Sequence, residues 1–374
     1  METYHKLLFS DSRSMTNIDD DSIDLIVSSP PYPMIEMWDN LFTKFNSNVG
    51  KSIDDFKGDV AFELMHKELD KTWAESFRIL KKGGFACINI GDATRSIGKR
   101  FQIYSNHSRI IQAFKKLGFD TLPVIIWRKQ TNAPNKYMGS GMLPAGAYVT
   151  LEHEYILVFR KSNKRIFKKD EDKLLRQKSS FFWEERNKWF SDVWFDLKGV
   201  AQNSNNKELR KRSGAYPFEL AYRLINMYSV RGDMVLDPFL GTGTTTFASI
   251  ASCRNSIGFE IDNAYKEHII NNSIDSLQYL NNRISNRFSE HLEFVNDRIS
   301  TKGPLKYKSK NYNFPVMTRQ EIEMELPYVE SIRKKSENEI SVIHSDKSEI
   351  RNLERIPTNV KKPQEHPDQI KLNL

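Results

Sequence analysis

Ser29-Pro30-Pro31-Tyr32 brings together a hydroxyl, a carbonyl on a residue without an amide hydrogen, and an aromatic ring. Two oxygens so placed can accept both hydrogens of one amine. An exocyclic amine on a heterocyclic base is a poor nucleophile because its lone pair is delocalised into the ring. Acceptors that draw its hydrogens out of plane restore a lone pair that can attack an electrophile. The paired prolines set those acceptors in place before reaction, and Tyr32 offers a face on which an extruded base can stack. An ordinary turn is the competing reading, and the position directly after Ile23-Asp24-Leu25-Ile26-Val27 argues against it.

A second group of residues suits a ligand. Asp237-Pro238-Phe239-Leu240-Gly241-Thr242-Gly243-Thr244-Thr245 lies between a strand-like run and a helical one, with glycines where backbone must come close to a ligand. No third glycine and no Gly-Lys-Ser follows to cradle a phosphate. Glu260 ends the next apolar run, where its carboxylate is placed to bind two ribose hydroxyls. The Gly-x-Gly alone reads equally well as a structural turn. With Asp237, Phe239 and Glu260 present, the cofactor reading prevails.

Other reactive residues carry less. His153 invites a general-base role, but transfer to a neutral amine can shed its proton to solvent, so His153 is read as structural. Cys87 and Cys253 have neither metal spacing nor a disulfide framework; both are expected to be buried thiols, and no metal is expected.

The elements that must position these residues alternate. Short buried strands are expected over residues 5–12, 23–28, 85–90, 121–128, 155–159, 234–237 and 256–260, with helices over 61–81, 106–117, 216–228, 244–253 and about 264–288. That order indicates an α/β sheet. The 374 residues, 39% of them hydrophobic, suffice for a sizeable core. No apolar run reaches the ~18 residues of a membrane span and Met1 to His5 is unlike a leader, so a cytoplasmic protein without a membrane partner is expected.

The pattern breaks between residues 160 and 212, where 16 Lys/Arg face 8 Asp/Glu, an excess equal to the net +8 of the whole chain. Phe181, Phe182, Trp183, Trp189, Phe190 and Trp194 interleave the charge, giving cations for phosphates and flat faces for bases or for packing. For the aromatic residues alone, packing is the favoured reading. Beyond Thr301 the chain is rich in Lys, Glu, Asn, Ser and Pro, and a loosely structured extension is expected.

Ser29-Pro30-Pro31-Tyr32, the Asp237 to Thr245 loop and Glu260 together resemble the motifs of DNA amino-methyltransferases. The motif order, acceptor first, then basic segment, then cofactor loop, is that of the permuted β group. Gly83-Gly84-Phe85 to Asp92, Trp127-Arg128-Lys129, and Glu152-His153-Glu154-Tyr155 running into Phe159-Arg160-Lys161 also match, and the resemblance covers roughly residues 5–270. It implies a Rossmann-like, seven-stranded, mostly parallel methyltransferase sheet with an inserted target-recognition region. The implied parts are an acceptor half over 1–159, a basic recognition region over 160–212, a cofactor half over 213–290 and a charged extension over 291–374.

The resemblance implies S-adenosylmethionine as cofactor. Asp237, Pro238 and the Gly241, Gly243 and Thr244 loop would hold its methionine end, Phe239 would pack beside it, and Asp11 would accept from the adenine amino group. Tyr216-Pro217-Phe218-Glu219-Leu220 is a looser match to the segment closing the methionine side. Ser-Pro-Pro-Tyr resembles the version usual in N4-cytosine enzymes, whereas N6-adenine enzymes mostly carry Asp or Asn first. C5-cytosine chemistry needs a cysteine after proline, and here Cys87 follows Ala86 and Cys253 follows Ser252.

The expectation is therefore a site-specific enzyme that binds double-stranded DNA, flips a cytosine and methylates N4, with a cognate restriction endonuclease as functional partner. Adenine N6 chemistry, an RNA methyltransferase and a catalytically silent DNA-binding module remain alternatives.

Overall fold

The computed structural model describes residues 1–129, 138–198 and 216–345; parts of the expected basic region and extension, 199–212 and 346–374, lie outside them. The fold grows from strands whose residues are buried on both faces. β1 is Glu2–Leu8, β2 Ile23–Ser28, β3 Leu80–Ile90, β12 Met234–Asp237 and β13 Asn255–Phe259. These five run parallel in the order β3-β2-β12-β13-β1. In β2, Leu25 and Val27 pack into one layer while Ile23 and Ile26 pack into the other, which explains its unbroken apolar run. The first layer holds helices α7 (Phe218–Tyr228) and α8 (Thr244–Ala251), and the second holds α3 (Gly58–Ile79) and α4 (Asn106–Leu117).

Further strands extend both sides, joined by antiparallel pairings except for β11 on β7, giving eleven strands in the sheet among the described residues. Beside β3 lie β10 (His153–Lys161), then β7 (Ile125–Arg128) and β11 (Val193–Trp194), with β6 (Phe119–Thr121) also on β10. The single strand expected over 121–128 is divided, because Pro123 can donate no ladder hydrogen bond. β1 ends at Leu8, short of the expected residue 12, since its partner β13 ends at Phe259. The helix expected over about 264–288 is two, Lys266–Asp275 (α9) and Leu277–Lys302 (α10). Cys87 and Cys253 are buried and form no disulfide. No helix among the described residues is long and apolar enough to cross a membrane.

Up to residue 345, the expectation of a loose extension after Thr301 is corrected. β16 (Val329–Ser336) and β17 (Glu339–His344) form a hairpin that pairs with β1 and covers an edge the parallel sheet would otherwise expose. Ile340, Val342 and His344 alternate inward along β17. Thr3 Oγ1 lies 3.0 Å from His5 Nε2 and 2.9 Å from His344 Nε2, and His5 Nδ1 lies 2.8 Å from Ser256 Oγ, so a buried polar chain ties the hairpin to β1 and β13.

A third, smaller core joins the extension to the basic segment. There Phe182, leading into α6 (Trp183–Trp189), packs with Phe288 of α10 and with Phe314. Arg287, 1% exposed, donates to Glu185 at 2.5 and 2.6 Å and to the Tyr222 hydroxyl at 3.0 Å. His291 stacks on Phe182 at 3.8 Å between ring centres, with its Nδ1 2.7 Å from Glu184.

Two outcomes follow from these contacts. Replacing Glu185 by Leu strands the Arg287 charge and lowers unfolding stability by about 3–5 kcal/mol in a urea titration; a loss under about 1 kcal/mol contradicts the buried pair. Burial, then the nearby His344 charge, depresses His5 to about 3, and burial, then the N-terminal ammonium and Arg231, depresses His344 to about 4. The unfolded chain then takes up these protons first. Stability is full above pH 6.5 and falls as pH drops from there towards 4. The thermal midpoint should fall between pH 7 and pH 5, less steeply in His344→Gln; equal slopes would count against this assignment.

Candidate active site

β2 and β12 lie side by side, and the chain leaves them in opposite directions, towards β3 from one and β13 from the other. The loops after parallel strands at such a switch point form the natural ligand crevice of an open α/β sheet. Ser29 to Tyr32 follow β2, Pro238 to Thr244 follow β12, Glu260 follows β13 and Asp11 lies beyond β1. The Glu260 amide donates to Leu8 O at 3.0 Å, bringing the last two loops together.

One carboxylate joins the two central loops. Asp237 Oδ1 accepts from Ser28 Oγ at 2.5 Å and from the Phe239 amide at 3.0 Å; Oδ2 accepts from Thr245 Oγ1 at 2.6 Å and from the Tyr216 hydroxyl at 3.3 Å. The Tyr216 and Thr245 hydroxyls also hydrogen-bond each other. Asp237 is 1% exposed, and burial raises its carboxyl against the lowering effect of these donors. These contacts tie the carboxylate to the groups around it and give the loop its shape.

The loop itself is open. Gly241 has φ +54°, and nothing lies within 4 Å of where a Cβ would stand. Gly243, φ +90°, caps α8, where a Cβ would stand 2.9 Å from Ile269, and Thr244 begins the helix. Pro238 is buried, and Phe239 is half-buried with its ring edge-on to Trp73 at 5.7 Å. Glu260 accepts from the Gly241 amide at 2.8 Å through one oxygen and from the Asp262 amide at 2.9 Å through the other. Each oxygen retains a lone pair, so the carboxylate fits a ribose diol beside the glycine loop. Burial raises the Glu260 carboxyl against these two amides.

Asp11 is partly exposed. Burial would raise its carboxyl, but Arg13 side-chain and backbone hydrogen bonds hold it below the usual range. Arg13 bridges Asp11 at 2.6 Å and Glu68 at 2.5 Å.

In the acceptor loop Pro30 and Pro31 are buried, whereas Ser29 and Tyr32 are half-buried. Ser29 Oγ lies 3.1 Å from the Tyr32 hydroxyl, which donates to Glu154 Oε2 at 2.9 Å. Asn89 Nδ2 donates to the Tyr32 oxygen at 2.9 Å and to Glu154 Oε2 at 2.7 Å, and Lys129 Nζ donates to Glu154 Oε1 at 2.9 Å. Burial, followed by the Glu154 charge, raises the Tyr32 phenol well above its ordinary range. Sequence reasoning gave no role to Glu154, Asn89, Lys129 or Ser28. The available signal was a carboxylate opening an apolar strand in the Glu152 to Tyr155 stretch.

The basic segment is partly self-neutralised. Lys161 pairs with Asp21, Arg165 with Asp233, Lys178 with Glu325 and Lys188 with Asp196. Lys164, Lys168 and Lys169 are exposed and have no ion pair among the described residues. Phe182, Trp189 and Trp194 are buried, in line with packing; Trp183 and Phe190 are 38% and 41% exposed.

Known proteins resemble this chain in sequence and fold. The sequence pattern of the N6/N4 DNA methylase family matches residues 23–272. The type II methyltransferase M.MthZI of Methanothermobacter thermautotrophicus is 51% identical over 92% of this chain and 96% of its own length. The type II methyltransferase M.MjaI of Methanocaldococcus jannaschii is 46% identical over 79% of this chain and 97% of its own. TTHA0409 of Thermus thermophilus, assigned as a DNA modification methylase and solved with S-adenosyl-L-methionine, superposes with a TM-score of 0.57 at 30% identity, covering 72% of this chain and 95% of that one. With its acceptor loop and glycine loop meeting at the switch point of one sheet, this chain belongs to the N6/N4 DNA methylase family.

Proposed function

We propose that this DNA methyltransferase transfers a methyl group from S-adenosylmethionine to the exocyclic N4 of cytosine in duplex DNA. The observation that carries the reading is Ser29, a hydroxyl acceptor rather than a carboxylate or amide, standing with Pro30 directly beside the glycine loop through the Ser28–Asp237 contact. The cofactor, when bound, supplies an electrophilic methyl group on a sulfonium.

The residues of the chain do the rest. Glu260 accepts from the ribose hydroxyls, Asp11 from the adenine amine, and the Gly241, Gly243 and Thr244 backbone approaches the methionine end, with Phe239 packing alongside. Asp237 and Pro238 hold that loop in shape. Ser29 Oγ and the Pro30 carbonyl accept the two amine hydrogens, Pro31 stiffens them, and the Tyr32 ring stacks on a flipped base. So held, the nitrogen lone pair would face the methyl group that the bound cofactor supplies, and the proton the amine sheds would leave to solvent.

Exposed Lys164, Lys168 and Lys169 are read as phosphate contacts of the recognition region. A restriction endonuclease for the same site is the functional partner this reading implies, given the type II methyltransferases that resemble the chain.

Nucleoside mass spectrometry of plasmid DNA incubated with enzyme and S-adenosylmethionine should reveal N4-methylcytosine; N6-methyladenine as sole product would overturn the substrate assignment. Ser29→Ala should lower the methylation rate about a hundredfold without weakening cofactor binding measured by calorimetry. Glu260→Ala should instead weaken cofactor binding at least tenfold, at about 1.4 kcal/mol per factor of ten. Normal binding in that variant would remove the ribose role.

A further inference from the structure

We propose that Glu154 is a positioning residue that, through Tyr32, fixes the Ser29 hydroxyl as a pure acceptor for the target amine. This rests on the reading of Ser29 as amine acceptor and adds how a hydroxyl is made to serve as one.

A carboxylate at that position would accept hydrogen bonds in any orientation. A serine hydroxyl carries a hydrogen of its own. If that hydrogen pointed at the amine nitrogen, it would occupy the lone pair that must attack the methyl group.

Hydrogen-bond counting removes that possibility. The Tyr32 hydroxyl has one hydrogen, and it goes to the Glu154 carboxylate at 2.9 Å, which can only accept. The two lone pairs on the Tyr32 oxygen then receive Asn89 Nδ2 at 2.9 Å and the Ser29 hydroxyl at 3.1 Å. Ser29 therefore donates to Tyr32, and its own lone pairs are left for the amine. Asn89 cannot present its oxygen instead, because Nδ2 also donates to Glu154 at 2.7 Å, and an amide oxygen there would face a carboxylate.

The relay is also held from outside. Lys129 Nζ fixes the other Glu154 oxygen at 2.9 Å, and Glu154 sits on β10 opposite Trp127 of β7. Gly91 leaves the space: a Cβ there would stand 3.1 Å from the Tyr32 ring and 3.4 Å from Glu154 Cγ.

The test is a mutant cycle on methyl transfer from tritiated S-adenosylmethionine to an unmethylated plasmid that the parent enzyme labels. Glu154→Gln should lower kcat about tenfold, with the KM for S-adenosylmethionine within about twofold of the parent. Tyr32→Phe, which keeps the ring for stacking, should lose a similar factor. In a Ser29→Ala background, where the relay has no terminus, Glu154→Gln should cost less than about twofold more. If Glu154→Gln leaves kcat intact, or costs as much in the Ser29→Ala background as in the parent, the relay is overturned while the acceptor reading stands. If Ser29→Ala alone leaves kcat unchanged, the acceptor reading itself falls.

Discussion

The buried Asp237 carboxylate is the contact on which the site depends. It terminates β12, and its donors come from four places: Ser28 at the end of β2, the Phe239 amide, Thr245 in the first turn of α8, and Tyr216 ahead of α7. Each hydrogen bond to a charged, buried acceptor is worth about 1.5–3 kcal/mol, and an orphaned donor here would have no water to turn to. The acceptor loop and the glycine loop thus cannot move independently. Two residues 209 positions apart in sequence, Ser28 and Asp237, are separated by one hydrogen bond in space. Methyl transfer demands such a link, because a misplacement of about 1 Å between donor and acceptor can cost about a hundredfold in rate.

What the sequence made legible was local. Strands β2 and β12 were placed to the residue because both are apolar runs that end at functional loops, and the Gly118 stop of α4 is a left-handed cap. Glu260 stood out as a carboxylate after a buried strand, and the fold sets it against the Gly241 amide of the glycine loop. Asp237 was noticed for its position, but its role as an internal brace needed Ser28, Thr245 and Tyr216 to be brought around it.

The illegible parts depend on distant partners. The charge excess of the basic segment looked available for phosphates, yet Lys161 and Arg165 are spent on Asp21 and Asp233. Glu154 gained a function only when β10 paired with β3 and β7, setting it beside Asn89 and Lys129. The extension was obscured by its polar composition, although the alternation of Ile340, Val342 and His344 has the period of a half-buried strand. The described part of the extension is tied to the basic segment through α10, whose Arg287 holds Glu185 of α6 while Phe182, Phe288 and Phe314 share one small core.

The most direct test of the central claim, a serine-lined pocket that presents an amine to the methyl donor, is a crystal structure of the enzyme with duplex DNA and S-adenosylhomocysteine. The account predicts an extruded cytosine stacked on Tyr32, with N4 within hydrogen-bond reach of Ser29 Oγ and the Pro30 carbonyl and the ribose on Glu260. An extruded adenine, or a cytosine whose N4 is turned away from Ser29, would contradict it.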